Sequence, residues 1–447
     1  MPEKIDLLIE PRWIAPVEPE GLLTDHAVAV RGGRIVDVLP VGHAQGRFEA
    51  DEHLRLPDQL LIPGLINLHT HAAMSLMRGL ADDIPLMQWL QKHIWPAEAA
   101  HVSHAFVYDG TLLACAEMLK GGITCFNDMY FFPQAAAEAA TRLGMRAALG
   151  ITVLEFSNAY ASDADDYLNK GLAVRDMWLN HPLVSFCLAP HAPYSVSDTS
   201  FERVVTLSEH LGLPIHCHLH ETIGEIRDSE ERFGCRPLAR LQRLGVLGPG
   251  FIGVHAVHLE DREIELLAKF DCSIAHCPTS NLKLASGIAP VATMIKGGLN
   301  VGLGTDGAAS NNRLDIFQEM RQAALLAKAA SSDASSLPAY FALRMATLNG
   351  ARALGLDGEI GSIRPGKQAD FCALDFSGLE SQPCYDPISH LVYAADRGDI
   401  SHVWVSGKCC VANKKLVRIE ENDLKNSVSL WQNKLEIRPE GRLKGFE

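Results

Sequence analysis

The sequence predicts a (β/α)8 TIM barrel carrying a small β-sandwich domain assembled from both chain ends. Three observations carry this. Eight short apolar segments bounded by Gly, Pro and Asn alternate with amphipathic stretches over about 300 residues. The first sixty residues and the end of the chain read instead as short strands. Most of the eight central segments also end in His or Asp, and a barrel gathers its chemistry at the C-terminal ends of its strands.

Taken in order, residues 5–9, 27–31 and 34–39 are β-rich, with Gly32-Gly33 as a turn. The barrel strands are expected at 60–69, 124–127, 146–151, 184–189, 215–220, 251–255, 273–276 and 300–304. Helical patterns lie between them, as at 102–120, 197–211, 261–270 and 313–328. Residues 371–374 and 402–405 return to strand. This divides the chain into residues 1–59 and 361–447, which form the split β-domain and tail, and 60–360, which form the barrel. An open doubly wound sheet would carry a glycine-rich loop after its first strand. Here that strand ends in His-Thr-His.

The 447 residues include 47% hydrophobic and 21% charged side chains, enough for a large core in an ordinary globular protein. The net charge of −14 disfavours phosphate backbones and anionic lipid, so neither nucleic acid nor membrane is an expected partner. Eleven cysteines without a CxxC pair read as free thiols in a reducing cytoplasm. No segment has the ~20 apolar residues of a spanning helix, and the N-terminus lacks a signal-peptide pattern. Oligomeric state is left open, a homo-oligomer included.

The strand ends define the candidate site. LINLHTH supplies His69 and His71, which share a side of the strand at i and i+2. APHAPYS supplies His191, and PIHCHLHET supplies His216, His218, His220 and Glu221. GVHAVH supplies His255 and His258, AHCPTSN supplies His276, and LGTDG supplies Asp306. Any one such His reads best as a satisfied core residue. Gathering so many imidazoles at one end without a shared purpose would cost several kcal/mol of desolvation. A divalent metal supplies the purpose, and zinc favours imidazole and carboxylate with one position open for water. The expected ligands are His69, His71, His218 and Asp306. Alternation alone does not choose among the three histidines of the fifth strand. His218 is preferred, with His216 in the barrel interior and His220 in an outer or surface position.

These residues resemble the amidohydrolase superfamily: HxH on the first strand, His on the fifth and sixth, Asp on the eighth. The resemblance extends to the tail, where GxIxPGKxADxxxLD spans Gly361 to Asp375. Neither RAALGI nor VSFCLA contains a bridging lysine, which implies one zinc ion per subunit. Within the superfamily, HxxE (His218–Glu221) and AHCPTSNLKLASGIAPV are most similar to the 5′-methylthioadenosine/S-adenosylhomocysteine deaminases. That resemblance implies a nucleoside substrate and hydrolytic loss of ammonia. Glu98 of WPAE would bind ribose, and His191 would contact the purine. Glu221 would shuttle a proton, His255 would orient the water, and Asp306 would accept the water proton while facing the substrate. Deamination or dechlorination of guanine, a triazine or an oxidised purine is the alternative.

One departure stands out. S-adenosylhomocysteine deaminases carry an Arg after the GMRA segment that grips the amino-acid carboxylate, whereas Ile151 or Thr152 stands there in this chain. Alkyl groups do not replace bidentate Arg–carboxylate pairing, so 5′-methylthioadenosine is the expected preference. Arg142, Arg146 or a neighbouring subunit are the candidates to fill the gap. Trp89 and Trp95 are candidates to line the pocket but read better as packing, Met74, Met77 and Met87 read as hydrophobic fill, and Ser280 and Asn281 are read as shaping the loop after the seventh strand, with no chemistry assigned.

Overall fold

The computed structural model describes residues 2–436, so the last eleven positions of the predicted 361–447 segment lie outside the described residues. Eight parallel strands form the barrel: β1 (Leu65–Thr70), β2 (Ile123–Asp128), β3 (Arg146–Val153), β4 (Val184–Pro190), β5 (Ile215–Leu219), β6 (Phe251–His255), β7 (Ser273–His276) and β8 (Asn300–Leu303). Each pairs with its sequence neighbour, which gives the eightfold order expected. Between β8 and β1 the circuit is completed largely by side chains and strand ends. The Asn67 amide donates to Thr305 Oγ1 at 2.8 Å and its carbonyl accepts from the Thr305 amide at 2.9 Å. The Asp306 amide donates to the His69 carbonyl at 3.0 Å. Gly304 permits this approach, because an added Cβ would stand 2.8 Å from the His69 nitrogen.

Both chain ends build the second sheet. Its nine strands are bonded into one mixed sheet, with the N-terminal strand Glu3–Ile14 parallel to Phe48–Pro63 and Phe371–Asp375 antiparallel to the latter. Leu7, Ile9, Val28, Phe371 and Trp404 pack in one core; Ile5, Leu8, Ala27 and Phe48 pack in another.

The predicted strand at 60–69 proves to be two. Residues up to Pro63 belong to the end sheet, and β1 begins at Leu65. The break falls at Gly64, where an added Cβ would come 2.1 Å from Thr124 Oγ1, so the chain passes there only without a side chain. The long strand Phe48–Pro63 is not evident in the sequence, because its charged middle and internal Pro57 read as a loop.

Several helix starts have a side-chain cap. Ser103, Ser197, Thr222 and Asp315 accept from the first-turn amides of helices His104–Lys120, Asp198–Leu211, Ile223–Phe233 and Ile316–Ser331. Glu260 and Glu263 form a reciprocal capping box at Asp261–Lys269. A further helix, Glu421–Glu436, packs on His104–Lys120, with Trp431 Nε1 donating to Asp109 at 2.7 Å. At the foot of the barrel, Arg146 donates to Asp370 at 2.9 and 3.2 Å and to Ser406 at 3.1 Å, tying β3 to the end sheet. No helix among the described residues is long and apolar enough to cross a membrane.

Candidate active site

The strand ends bring the expected imidazoles together. His69 ends near the axis with its ring centroid 4.8 Å from His71, 4.9 Å from His218 and 5.8 Å from His255. The Nε2 atoms of His69 and His71 each lie 3.3 Å from Asp306 Oδ1. Two overlapping sets, His69–His71–Asp306 and His69–His218–His255, place one donor atom per residue within 4.8 Å of one another.

Each ring is held by its other nitrogen. His71 Nδ1 donates to the Met129 carbonyl at 2.6 Å, and His218 Nδ1 to the His191 carbonyl at 2.7 Å. His69 Nδ1 lies 3.0 Å from His216 Nε2, and His255 Nδ1 lies 2.8 Å from Asn281 Oδ1. Fixing the rear nitrogen in this way sets the tautomer of a metal ligand. Asp306 is fixed similarly: Oδ2 accepts from Ser280 at 2.7 Å and Ser310 at 2.6 Å, and Oδ1 accepts from the Gly307 amide at 2.7 Å.

The electrostatics of this cluster test whether a cation fits it. Buried His69 Nε2 has no hydrogen-bond partner among the described residues. Burial drives His69 down to about 4, despite the neighbouring Asp306. Burial also opposes charge on His71, yet the Asp306 hydrogen bond outweighs it and carries His71 up to about 9. Burial would raise Asp306, but His69 and His71 hold it well below the usual carboxylate range. Facing nitrogen and oxygen lone pairs thus compete for positive charge at one point, and imidazole plus carboxylate is the donor set that zinc favours.

The backbone bends sharply here. His220, His255, Ala256 and Asp306 have φ of 50°, 69°, 49° and 63°, in the left-handed region that L side chains seldom occupy. Such conformations cost about 1–3 kcal/mol each and persist only where surroundings enforce them. They fall at His255, the last residue of β6, and at Asp306, just past β8, where the side chains turn toward the cluster.

A cavity of about 1020 Å³ opens above it, lined at its floor by His71, His218, Glu221, His255 and Asp306. Glu221 is buried, and that burial raises its carboxyl. Its Oε2 lies 3.9 Å from His255 Nε2. Glu225, one helical turn on, accepts from the His220 amide at 3.1 Å and the Glu221 amide at 2.8 Å. Half-buried Glu98, on helix Trp95–His101, accepts from Tyr130 Oη at 2.7 Å; burial pushes it up to about 7 against that bond. His191 lines the cavity with Nδ1 2.8 Å from Ser195 Oγ, and burial lowers it to about 3, so its ring is neutral.

Several sequence expectations change. His216 is in the interior as expected, but His220 is fully buried rather than at a surface: its Nε2 accepts from the Leu238 amide at 3.1 Å. Met74, Trp89 and Trp95 line the cavity rather than only packing. Arg146 is occupied at the foot of the barrel, and Arg142 donates to Tyr108 Oη at 2.8 Å and is absent from the cavity lining, so neither fills the arginine gap. Thr152 faces the cavity and its hydroxyl donates to the Tyr130 carbonyl at 3.0 Å. Ser280 and Asn281, given no chemistry from the sequence, support the site, as do Ser310 and Glu225, which the sequence reading did not single out. The Ser-Asn pair after AHCP and the second Glu of HETxxE were the available signals.

A profile of the amidohydrolase family matches residues 60–410. The chain is 48% identical over 432 residues to the 5-methylthioadenosine/S-adenosylhomocysteine deaminase of Saccharophagus degradans, covering 96% of this chain and 97% of that one. It is 45% identical to the enzyme of the same name from Teredinibacter turnerae, covering 96% and 98%. A solved adenosine deaminase from Xanthomonas campestris with bound zinc superposes with a TM-score of 0.96 at 48% identity, covering 98% and 100%. On the barrel, its strand-end histidines and these likenesses together, the chain belongs to the amidohydrolase family.

Proposed function

We propose that this protein is a zinc-dependent deaminase of 5′-methylthioadenosine, accepting adenosine and S-adenosylhomocysteine as well, and releasing ammonia and the inosine analogue. The observation that carries the reading is the pair of overlapping donor sets, His69–His71–Asp306 and His69–His218–His255, beneath a cavity that also presents Glu221, His191 and Glu98. The near-half identity to named nucleoside deaminases over the full barrel supports the substrate class.

His69, His71, His218 and Asp306 would hold one zinc per chain. When bound, zinc supplies a water acidified toward neutrality, pKa about 7. The residues do the rest. Asp306, held ionised, takes the proton of the attacking water. Glu221, whose carboxyl burial raises, donates a proton to the purine ring nitrogen, which makes C6 electrophilic. The C6–oxygen bond forms and the ring nitrogen keeps its proton; Glu221, now ionised, takes the C6 hydroxyl proton and passes it to the exocyclic amine, the C6–nitrogen bond breaks to leave ammonia and a C6 carbonyl, and the proton held on Asp306 restores Glu221. His255, fixed by Asn281, orients the attacking oxygen and stabilises charge at the tetrahedral carbon. Neutral His191 offers a hydrogen bond to the purine edge, and Glu98 accepts from ribose hydroxyls beside Tyr130. Eleven free cysteines, most of them buried, accord with a cytoplasmic setting.

Glu221→Gln tests the mechanism. It should retain metal and lower kcat about 10²- to 10⁴-fold; near-normal turnover would remove Glu221 from the proton path. Ribose recognition distinguishes the nucleoside reading from free bases or triazines: Glu98→Ala should raise KM for nucleosides and spare free bases.

A further inference from the structure

Glu319 is a fully buried carboxyl that the proposed mechanism does not use. It stands on helix Ile316–Ser331, one turn past the Asp315 cap, and among the described residues no lysine, arginine or histidine pairs with it. Burying a carboxyl without a cation disfavours folding, and an apolar side chain would fill the same space at lower cost.

Glu319 joins two segments. Its Oε2 accepts from the Thr279 amide at 3.1 Å, on the short helix Pro278–Lys283 after β7. Its Oε1 accepts from Asn311 Nδ2 at 2.8 Å, in the loop after β8, and the same Asn311 amide donates to the Thr305 carbonyl at 2.7 Å. Each gripped residue has a serine beside it in the chain. Ser280 and Ser310 are the two hydroxyls that donate to Asp306 Oδ2, at 2.7 and 2.6 Å. The other oxygen, Oδ1, faces His69 and His71 Nε2 at 3.3 Å. Partly exposed Lys283 ties the same two segments on the outer side, where its Nζ donates to Asn312 Oδ1 at 2.5 Å and to the Ala309 carbonyl at 3.2 Å. Glu319 is the tie on the buried side.

Resting on the deaminase reading above, we propose that Glu319 is a positioning residue: by gripping Thr279 and Asn311 it keeps Ser280 and Ser310 on Asp306 Oδ2, and so keeps Oδ1 aimed at the metal and the attacking water. Its effect passes through two hydroxyls, which separates it from a purely structural role. A tie that only held the fold together would lower stability on removal and leave zinc affinity and turnover of the folded chains unchanged.

The test is a cycle of Glu319→Gln and Glu319→Ala, each made in the wild-type background and in Ser280→Ala/Ser310→Ala. Zinc affinity by chelator competition, kcat and KM for 5′-methylthioadenosine, and the denaturant midpoint are read on every variant. Groups that orient a metal ligand contribute about 10- to 100-fold. Glu319 acts one bond further out, so each substitution in the wild-type background should weaken zinc binding and lower kcat of the loaded chains about three- to tenfold, with KM changed less than about twofold. Without the serines the same substitutions should change zinc affinity and kcat less than about twofold, because the hydroxyls through which they act are gone. Glu319→Gln keeps the side-chain size and one acceptor, so it carries the test if Glu319→Ala does not fold. Zinc affinity and kcat within twofold of wild type in Glu319→Gln, or an undiminished effect without the serines, overturns the assignment. A wild type that releases no ammonia overturns the deaminase reading instead, and the zinc affinities, read without turnover, then decide the role of Glu319.

Discussion

Glu225 offers a sharp perturbation of the site, because it touches neither the metal ligands' donor atoms nor the cavity floor. It holds the backbone of the proposed proton shuttle. Its two carboxylate oxygens accept from the His220 and Glu221 amides at 3.1 and 2.8 Å in a buried setting. Hydrogen bonds to a charged acceptor contribute about 1.5–3 kcal/mol each. Glu225→Ala would orphan both amides and cost about 3–6 kcal/mol, a large share of a typical stability of about 5–15 kcal/mol. Glu225→Gln keeps one acceptor and turns an NH2 toward the other amide, so the loss should be about 1.5–3 kcal/mol. The consequence for catalysis is displacement of Glu221, whose acid–base contribution is of order 10²- to 10⁴-fold. Denaturant midpoints, metal content, kcat and KM for 5′-methylthioadenosine should be measured on both variants. Glu225→Gln should remain folded and metal-loaded, with kcat lowered about 10- to 100-fold and KM little changed. A folded Glu225→Gln with kcat within twofold of wild type would show that Glu221 is positioned by something else.

Two further predictions follow from the geometry. His218→Ala should lose its metal together with activity, whereas His216→Ala, which removes only the partner of His69 Nδ1, should weaken metal binding about 10- to 100-fold; elemental analysis after dialysis separates them, and unchanged metal in His218→Ala would move the ligand to another strand-five His. Glu319 gives the stability a pH dependence. Burial raises it to about 8 although the Thr279 amide and Asn311 side chain donate to it. Between about pH 4.5 and about pH 8 the unfolded chain has released this proton while the folded chain retains it, so stability from this group falls as pH rises through that window. The midpoint should therefore drop less from pH 5 to pH 8 in Glu319→Gln than in wild type; equal slopes would count against it.

Much of this was legible in the sequence because barrels tie chemistry to strand ends. His69, His71, His218, His255 and Asp306 were singled out by asking what each apolar run ends in, and the structure brings them into two overlapping sets that share His69. The fold's alternation was equally visible, since β-rich apolar runs and capped amphipathic helices differ in period. What escaped was set by long-range contact. Phe48–Pro63 forms because Glu3–Ile14 and Phe371–Asp375 flank it, not because its own charged sequence favours a strand. His220 is buried because helix Pro237–Arg243 supplies an amide to its Nε2. Ser280, Ser310 and Asn281 gained a role only when the loops after β7 and β8 closed around Asp306 and His255.

Ammonia release from 5′-methylthioadenosine, measured on the purified protein as isolated, after chelation and after zinc is restored, bears most directly on the proposed chemistry. One ammonia per nucleoside consumed, lost on chelation and recovered with about one zinc per chain, is the expected result. No ammonia from the loaded protein, or turnover indifferent to chelation and loss of metal, would contradict it.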